Sequence, residues 1–218
     1  MTSLLIAIDG PSGSGKSSTS RGVATRLGLG YLDTGSMYRA ATVAWLDDVS
    51  APQDPDAITD FVRGLNLEVG TDPAAPTISV DGHDVTRAIR EPRVSEKVSV
   101  LATIPGVRLV LTDQMRRIIA AHERRMVVEG RDITTVVAPD ADVRVLLVAD
   151  PAARVARRHA ELEGVTSAEV LDQVVRRDRD DATVSEFERP APGVTVVDST
   201  FDDLPTVVAR ICDLLPHA

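Results

Sequence analysis

The stretch that decides the fold is GPSGSGKS, residues 10–17. It matches the pattern G-x-x-x-x-G-K-[ST] at every fixed position, and it follows a short apolar run, residues 4–8, that is typical of a buried strand. A helical pattern continues to about residue 27. Glycines between a strand and a helix let successive backbone N–H groups face inward, where the positive end of the helix dipole also lies. The stretch therefore predicts a phosphate-binding loop in an α/β protein.

This phosphate loop predicts a site for a nucleoside triphosphate. In loops of this pattern the lysine, here Lys16, reaches the β- and γ-phosphates, and the hydroxyl of Ser17 binds Mg²⁺. We expect the nucleotide site to comprise Gly10, Pro11, Ser12, Gly13, Ser14, Gly15, Lys16, Ser17 and Ser18.

The rest of the chain alternates short apolar strands with helical patterns. Residues 126–128, 143–149 and 194–197 are predicted core strands, and the whole pattern predicts a five-stranded parallel sheet covered by helices on both faces. A β-rich stretch interrupts it, because residues 65–69 and 77–80 alternate with period two. We interpret this stretch as a small inserted lobe.

Composition limits the classes of function. The chain has 218 residues, 43% hydrophobic and 26% charged, and no apolar run is long enough to span a bilayer. A net charge of −9 argues against a nucleic-acid-binding face, and a single cysteine allows no intrachain disulfide. We expect a cytoplasmic monomer that binds small molecules and neither a membrane nor a nucleic acid.

Three classes of protein use such a loop: GTPase switches, mechanical or partitioning ATPases, and small-molecule kinases. A GTPase would recognise guanine with N-K-x-D, but the only other lysine, Lys97, lies in SEKV. The ATPase class stays open, because Asp150 and Asp198 follow predicted strands and such an acid can bind metal. A kinase must neutralise two phosphates that repel each other and exclude water, so it needs several arginines and a lid.

The placement of the arginines favours a kinase. Arg39 follows Asp33-Thr34-Gly35 by one helical turn, and Arg131 lies at a strand end. A surface ion pair is the alternative for any one arginine, and Arg177 and Asp181, at i and i+4, fit that alternative well. Three more arginines follow Pro151 with the spacing i, i+3, i+4, which puts them on one face of the predicted helix. The expected catalytic residues are Lys16, Arg131, Arg154, Arg157 and Arg158.

Five motifs occur in order along the chain: IDGPSGSGKS (8–17), YLDTGSMYR (31–39), VDGHDVTRAIR (80–90), VEGRDI (128–133) and VVDST (196–200). Together they resemble the bacterial cytidylate kinases, nucleoside monophosphate kinases of the P-loop class, over nearly the whole length. Many P-loop proteins share the first motif, whereas the third and the G-R-D segment narrow the resemblance to this family.

The resemblance implies a P-loop core with a nucleoside monophosphate (NMP)-binding lobe and a helical lid. We divide the single domain into a core (about 1–62, 104–150 and 190–218), an NMP-binding insert (about 63–103) and a lid region (about 151–189).

The resemblance also implies phosphoryl transfer from ATP, bound with Mg²⁺ at Ser17, to CMP or dCMP. Cytosine has one amino donor and two acceptors, N3 and O2, so a carboxylate, an arginine and a serine are suitable partners. The implied acceptor residues are Thr34, Arg39 and Arg131 near the phosphate, Ser99, Arg108 and Asp132 at the base, and Arg177 and Asp181 at the pentose. Arg154, Arg157 and Arg158 are implied to lie in the lid.

Two positions depart from the family pattern. Thr134 replaces the second glycine of G-R-D-x-G-T, and Val184 stands about where an arginine is usual. The alternatives are another small-molecule kinase, acting on UMP, AMP or shikimate, and a regulatory or partitioning ATPase.

Overall fold

The structure is a computed structural model that describes residues 3–160 and 189–215. Its strands are β1 Leu4–Asp9, β2 Gly30–Asp33, β3 Leu67–Val69, β4 Ile78–Val80, β5 His83–Asp84, β6 Arg125–Gly130, β7 Val143–Val148 and β8 Thr195–Asp198. Its helices are α1 Lys16–Leu27, α2 Thr34–Asp47, α3 Pro55–Gly64, α4 Pro92–Ala102, α5 Pro105–Ala121, α6 Pro151–Ala160 and α7 Leu204–Cys212. A 3₁₀ turn, Ala88–Arg90, and a π-helical turn, Ile133–Val137, complete them.

Five strands form a parallel sheet in the order β2-β6-β1-β7-β8, which confirms the predicted fold class. The register pairs Asp9 with Gly130 and Asp33 with Glu129, so three strands end at one level. Parallel strands place their carboxyl ends at the same edge, and the loops that follow β1, β2 and β6 therefore meet there.

The apolar residues of β1 alternate between the two faces of the sheet. Leu5 and Ala7 pack in a core cluster with residues of α2 and α5, whereas Ile6 and Ile8 pack in a second cluster with residues of α1 and α7. Successive side chains of a strand point to opposite faces. Helices therefore cover both faces of the sheet, as predicted. Because both faces of β1 are buried, the strand is a continuous apolar run and does not alternate with polar residues.

A three-stranded antiparallel sheet, β3-β4-β5, lies in the predicted β-rich stretch. Asp81 and Gly82 both have positive φ, 50° and 80°, which a two-residue hairpin turn requires. Ile78 and Val80 are buried in the same cluster as the apolar residues of α2. The small sheet is therefore packed onto the helix that follows β2.

The strand predictions were incomplete in two places. No strand was predicted at Gly30–Asp33, a four-residue segment in which only Tyr31 and Leu32 are buried. β6 also runs two residues beyond the predicted 126–128, so that Glu129 and Gly130 belong to the strand. The predicted helix at 167–181 lies outside the described residues. Among the helices that the structure describes, none is both long and apolar enough to cross a bilayer.

Candidate active site

A cavity of about 400 Å³ opens where β1, β2 and β6 end. It is lined by the phosphate loop, the start of α2, parts of α4 and α5, and the segment after β6. The predicted site residues that line it are Ser12, Gly13, Gly15, Lys16, Ser17, Ser18, Thr34, Arg39, Arg108, Arg131 and Asp132. The fold thus brings together residues that are up to 120 positions apart. The phosphate loop forms the predicted donor side of the cavity, and the residues predicted to bind the acceptor nucleotide form its acceptor side.

The phosphate loop has the backbone conformation that its glycines predict. Gly13 and Gly15 have φ of 75° and 86°, a region that favours glycine, and α1 begins directly at Lys16. A Cβ on Gly13 would lie 2.5 Å from the carbonyl oxygen of Arg154, so α6 approaches the loop closely. The Lys16 ammonium donates to the carbonyl of Pro11 at 3.3 Å, over the loop itself.

Glu129 lies buried behind the phosphate loop and accepts two hydrogen bonds. Its Oε1 accepts from the hydroxyl of Ser17 at 2.5 Å and from the phenol of Tyr31 at 3.0 Å. Burial raises the pKa of Glu129, as does the negative charge of Asp33, whereas Lys16 opposes the rise. Burial and the charge of Glu129 also raise the pKa of Tyr31, which keeps its phenol a donor. The predicted magnesium ligand, Ser17, thus has a carboxylate directly beside it.

On the acceptor side, Arg108 and Asp132 form an ion pair whose side chains are only 19% and 12% exposed. Arg108 also donates to the carbonyl of Ala102 at 3.1 Å, which holds the guanidinium at the junction of α4 and α5. A largely buried ion pair that faces a cavity presents a donor group and an acceptor carboxylate side by side. These are two of the three groups predicted to recognise cytosine.

Thr34 and Arg39 hold the start of α2 against its neighbours. The hydroxyl of Thr34 donates to the carbonyl of Glu129 at 2.8 Å, and buried Arg39 donates to the carbonyl of Ile89 at 2.9 Å. Gly130 lies between Thr34 and Ile133, since a Cβ on Gly130 would lie 2.4 Å from the Thr34 hydroxyl and 2.7 Å from Cδ1 of Ile133. Arg131 follows and donates to the carbonyl of Gly10, at the first residue of the phosphate loop.

Arginines of α6 contact the backbone of the phosphate loop. Arg154 donates to the carbonyl of Ser12 at 3.0 Å, and Arg157 to that of Ser14 at 3.2 Å and to the Ser199 hydroxyl at 3.0 Å. The predicted helix after Pro151 is therefore present, and two of its three arginines lie against the loop. The third, Arg158, belongs to α6, but its side chain lies outside the described part.

Several predicted site residues do not line the cavity. Ser99 lies on α4 next to Val98, which lines the cavity, but Ser99 is not itself a lining residue. Gly10, Pro11 and Ser14 belong to the phosphate loop without lining the cavity. The predicted pentose ligands Arg177 and Asp181, and the departure at Val184, lie outside the described residues.

Comparison with known proteins decides the family. The model of the family described as cytidylate kinase matches residues 6–217. The chain belongs to the cytidylate kinase family. The resemblance stated from its motifs is thereby confirmed.

Curated relatives agree with this family along the chain. The cytidylate kinase of Cutibacterium acnes is 59% identical over 218 residues, with 98% of this chain and 96% of the relative covered. That of Rhodococcus opacus is 47% identical, with 96% and 93% covered. Among solved structures, a shikimate kinase from Bacteroides thetaiotaomicron has a TM-score of 0.51 at 13% identity, with 97% of each chain covered. At that identity the likeness shows the fold alone.

Several residues that line the cavity were not predicted from the sequence. Asp33, Tyr38 and Arg90 line it, and Arg90 of the small lobe lies 3.4 Å from the carboxylate of Asp33. Arg90 was visible as the last residue of VDGHDVTRAIR, and Asp33 as the acid of the D-T-G segment. For Glu129 no partner was predicted, because Ser17 and Tyr31 are 112 and 98 residues away and only the strand register brings them together.

Proposed function

We propose that this protein transfers the γ-phosphoryl group of ATP to the phosphate of CMP or dCMP, giving ADP and CDP or dCDP. One observation carries the proposal: a single cavity joins the phosphate loop to the Arg108–Asp132 pair. A cavity that holds a phosphate cradle at one side and a carboxylate with a guanidinium at the other suits two nucleotides with their phosphates between them.

On the donor side, the proposed role of Lys16 is to bind the β- and γ-phosphates, with the loop N–H groups around them. Arg131, Arg154, Arg157 and Arg158 neutralise the charge that spreads over the transferred group. Three of these arginines, Arg131, Arg154 and Arg157, donate to phosphate-loop carbonyls and so lie against the loop, and Arg131 also lines the cavity. The acceptor phosphate is an anion, and the transfer therefore needs no strong general base.

The residues beside Ser17 suit a magnesium ion that arrives with ATP. Mg²⁺ prefers hard oxygen ligands, and the hydroxyl of Ser17 and the carboxylate of Glu129 lie together, with the charge of Asp33 close enough to influence Glu129. We propose that Ser17 ligates the ion and that Glu129 orients the Ser17 hydroxyl. When bound, the ion adds positive charge at the transferring phosphates.

On the acceptor side, the proposed role of the Arg108–Asp132 pair is to select cytosine over uracil. Asp132 accepts from the exocyclic amino group, and Arg108 donates to a ring acceptor. With uracil, O4 would face the carboxylate, acceptor against acceptor with no proton between them, and a site built to accept an N–H strongly rejects an analogue that lacks it. The further assignments are Ser99 at the base, Thr34, Arg39 and Arg131 near the acceptor phosphate, and Arg177 and Asp181 at the pentose.

The organisation of the chain stays part of the proposal. It comprises a core (about 1–62, 104–150 and 190–218), an NMP-binding insert (about 63–103) and a lid region (about 151–189). A monomeric state and a cytoplasmic location are predictions from the sequence.

A panel of acceptors tests the proposal. ADP release from ATP is measured with CMP, dCMP, UMP, AMP and shikimate, and without an acceptor. We expect release with CMP and dCMP that exceeds the rate with UMP by about 10²-fold or more. A preference for AMP or shikimate, or full turnover of ATP without an acceptor, would contradict it and support another kinase or an ATPase.

A further inference from the structure

Asp9, the last residue of β1, has a buried carboxylate, and the residue is only 3% exposed. One oxygen accepts from the main-chain N–H of Ile133 at 2.8 Å. The other accepts from the main-chain N–H of Thr134 at 2.9 Å and from its hydroxyl at 2.6 Å. All three donors therefore belong to the π-helical turn that follows Arg131 and Asp132.

These hydrogen bonds account for a carboxylate in a buried position. Burial raises the pKa of Asp9, and the bonds from Thr134 and Ile133 oppose that rise. The first N–H groups of a helical turn have no partner within the turn, so the carboxylate caps them. Both oxygens of Asp9 accept from these three donors, whereas an asparagine at this position would offer one oxygen and turn an N–H toward a donor.

The anchor joins the two sides of the cavity. Asp9 directly precedes Gly10, and the carbonyl of Gly10 accepts from Arg131. The segment 131–134 is thus fastened to the two residues at which β1 becomes the phosphate loop. The side chain of Ile133 is fully buried and packs where a Cβ on Gly130 would lie, 2.7 Å from its Cδ1. Little room remains for the segment to shift unless the anchor breaks.

We propose that Asp9 is a positioning residue for the acceptor nucleotide: it sets Arg131 and Asp132 relative to the phosphate loop. Thr134 reinforces this anchor through its hydroxyl, at a position where the G-R-D-x-G-T pattern has glycine and therefore no such bond. The inference rests on the proposed function for its account of the acceptor. Transfer between two phosphates depends on their mutual placement, and a displacement of about 1 Å can cost on the order of 10²-fold in rate.

The test compares isosteric substitutions at the anchor with matched controls. Asp9→Asn puts an amide N–H against a donor, and Thr134→Val removes only the hydroxyl, whereas Thr134→Ser retains it. The control for the threonine is Thr135→Val, at the exposed neighbouring position. The control for the aspartate is Asp142→Asn, whose carboxylate accepts from the Leu5 N–H at 2.8 Å at the other end of β1.

Steady-state kinetics with CMP and ATP give the first readout. We expect Asp9→Asn to lower kcat/KM for CMP by about 10²-fold and Thr134→Val by about tenfold, with KM for ATP changed less than about twofold. Thr134→Ser and both controls stay within about twofold of the wild type. Equal losses for CMP and ATP, or a Thr135→Val effect as large as that of Thr134→Val, would overturn the inference.

Hydrogen exchange of the peptide spanning residues 130–138 gives a second readout that does not depend on activity. We expect faster exchange in Asp9→Asn and Thr134→Val than in the wild type and Thr135→Val, since the anchor protects two amides there. If Asp9→Asn fails to fold, Thr134→Val carries the comparison. Unchanged exchange in both variants would overturn the inference about Asp9 and leave the proposed function intact. A wild-type chain that shows no CMP-dependent release of ADP would instead contradict the proposed function.

Discussion

The two sides of the cavity are built differently. The donor side is one run of eight residues, 10–17, whose shape comes from the backbone: two glycines with positive φ and a helix that begins at Lys16. The acceptor side joins side chains from separate segments, among them Arg39, Arg108 and Asp132. A local loop depends little on the rest of the fold. An assembled site depends on the sheet register and on buried contacts, so substitutions should separate the two sides.

The largest effect is expected on the donor side. Lys16→Met removes the one ammonium beside the proposed β- and γ-phosphate position, and we expect kcat to fall by about 10³-fold or more. The side chain is only partly buried and donates to the carbonyl of Pro11 at 3.3 Å, a contact within the loop itself, so the thermal midpoint should change little. Coupled ADP release and a thermal melt measure both. A variant that retains near-normal turnover would contradict the kinase assignment.

The second prediction separates the two sides directly. Asp132→Ala removes the proposed acceptor of the cytosine amino group, and we expect KM for CMP to rise about 10²-fold while KM for ATP changes less than about threefold. The matched control is Asp140→Ala, which breaks the Arg124–Asp140 ion pair at 3.0 Å on the surface. Similar increases in KM for both nucleotides would show that Asp132 does not read the base.

The third prediction concerns the space between the two sides. Gly130→Ala would put a Cβ 2.4 Å from the Thr34 hydroxyl and 2.7 Å from Cδ1 of Ile133. We expect a loss of about 1–3 kcal/mol in the free energy of unfolding and a raised KM for CMP. Gly64→Ala, in α3 with nothing within 4 Å, is the control and should be neutral or slightly stabilising. Denaturant unfolding that does not distinguish the two variants would contradict the close packing.

The smallest expected effect is on stability as a function of pH. Burial raises the pKa of Glu129 above its ordinary value of 4.5. As pH rises, the unfolded state therefore releases this proton at a lower pH than the folded state does. This contribution to stability is fully present below pH 4.5 and is lost as pH rises through the folded pKa. Glu129→Gln carries no such group, so the variant should gain stability relative to the wild type as pH rises above 4.5. Parallel denaturant curves at several pH values test this; a constant difference would contradict it.

Much of the fold could be predicted because its signals are local. The apolar run of β1, the glycine-rich loop and the Asp81-Gly82 hairpin each reside in a few adjacent residues, and each is present in the structure. Strand β2 was not predicted, because four residues between two helices carry no periodicity. Its burial comes from pairing with β6, and that pairing also sets Asp33 level with Glu129.

The candidate site divides in the same way. The residue types for a phosphate cradle and for a cytosine edge could be named from motifs, and eleven of them line the cavity. Contacts across long stretches of the chain could not be named. Glu129 with Ser17, Arg108 with Asp132 and Asp9 with Thr134 are separated by 112, 24 and 125 residues.

The sequence by itself determined the phosphate loop and the α/β alternation, because the conformational preferences of neighbouring residues act locally, and it determined the family, because short motifs carry it. Only the tertiary structure decided how the acceptor side is held. The parallel register of β1, β2 and β6 brings their carboxyl ends to one level, where the buried carboxyl groups of Asp9 and Glu129 accept hydrogen bonds from distant segments. Asp9 is the clearest case: in the sequence it is one more acid before a glycine, and in the fold it holds the turn that follows Arg131 and Asp132.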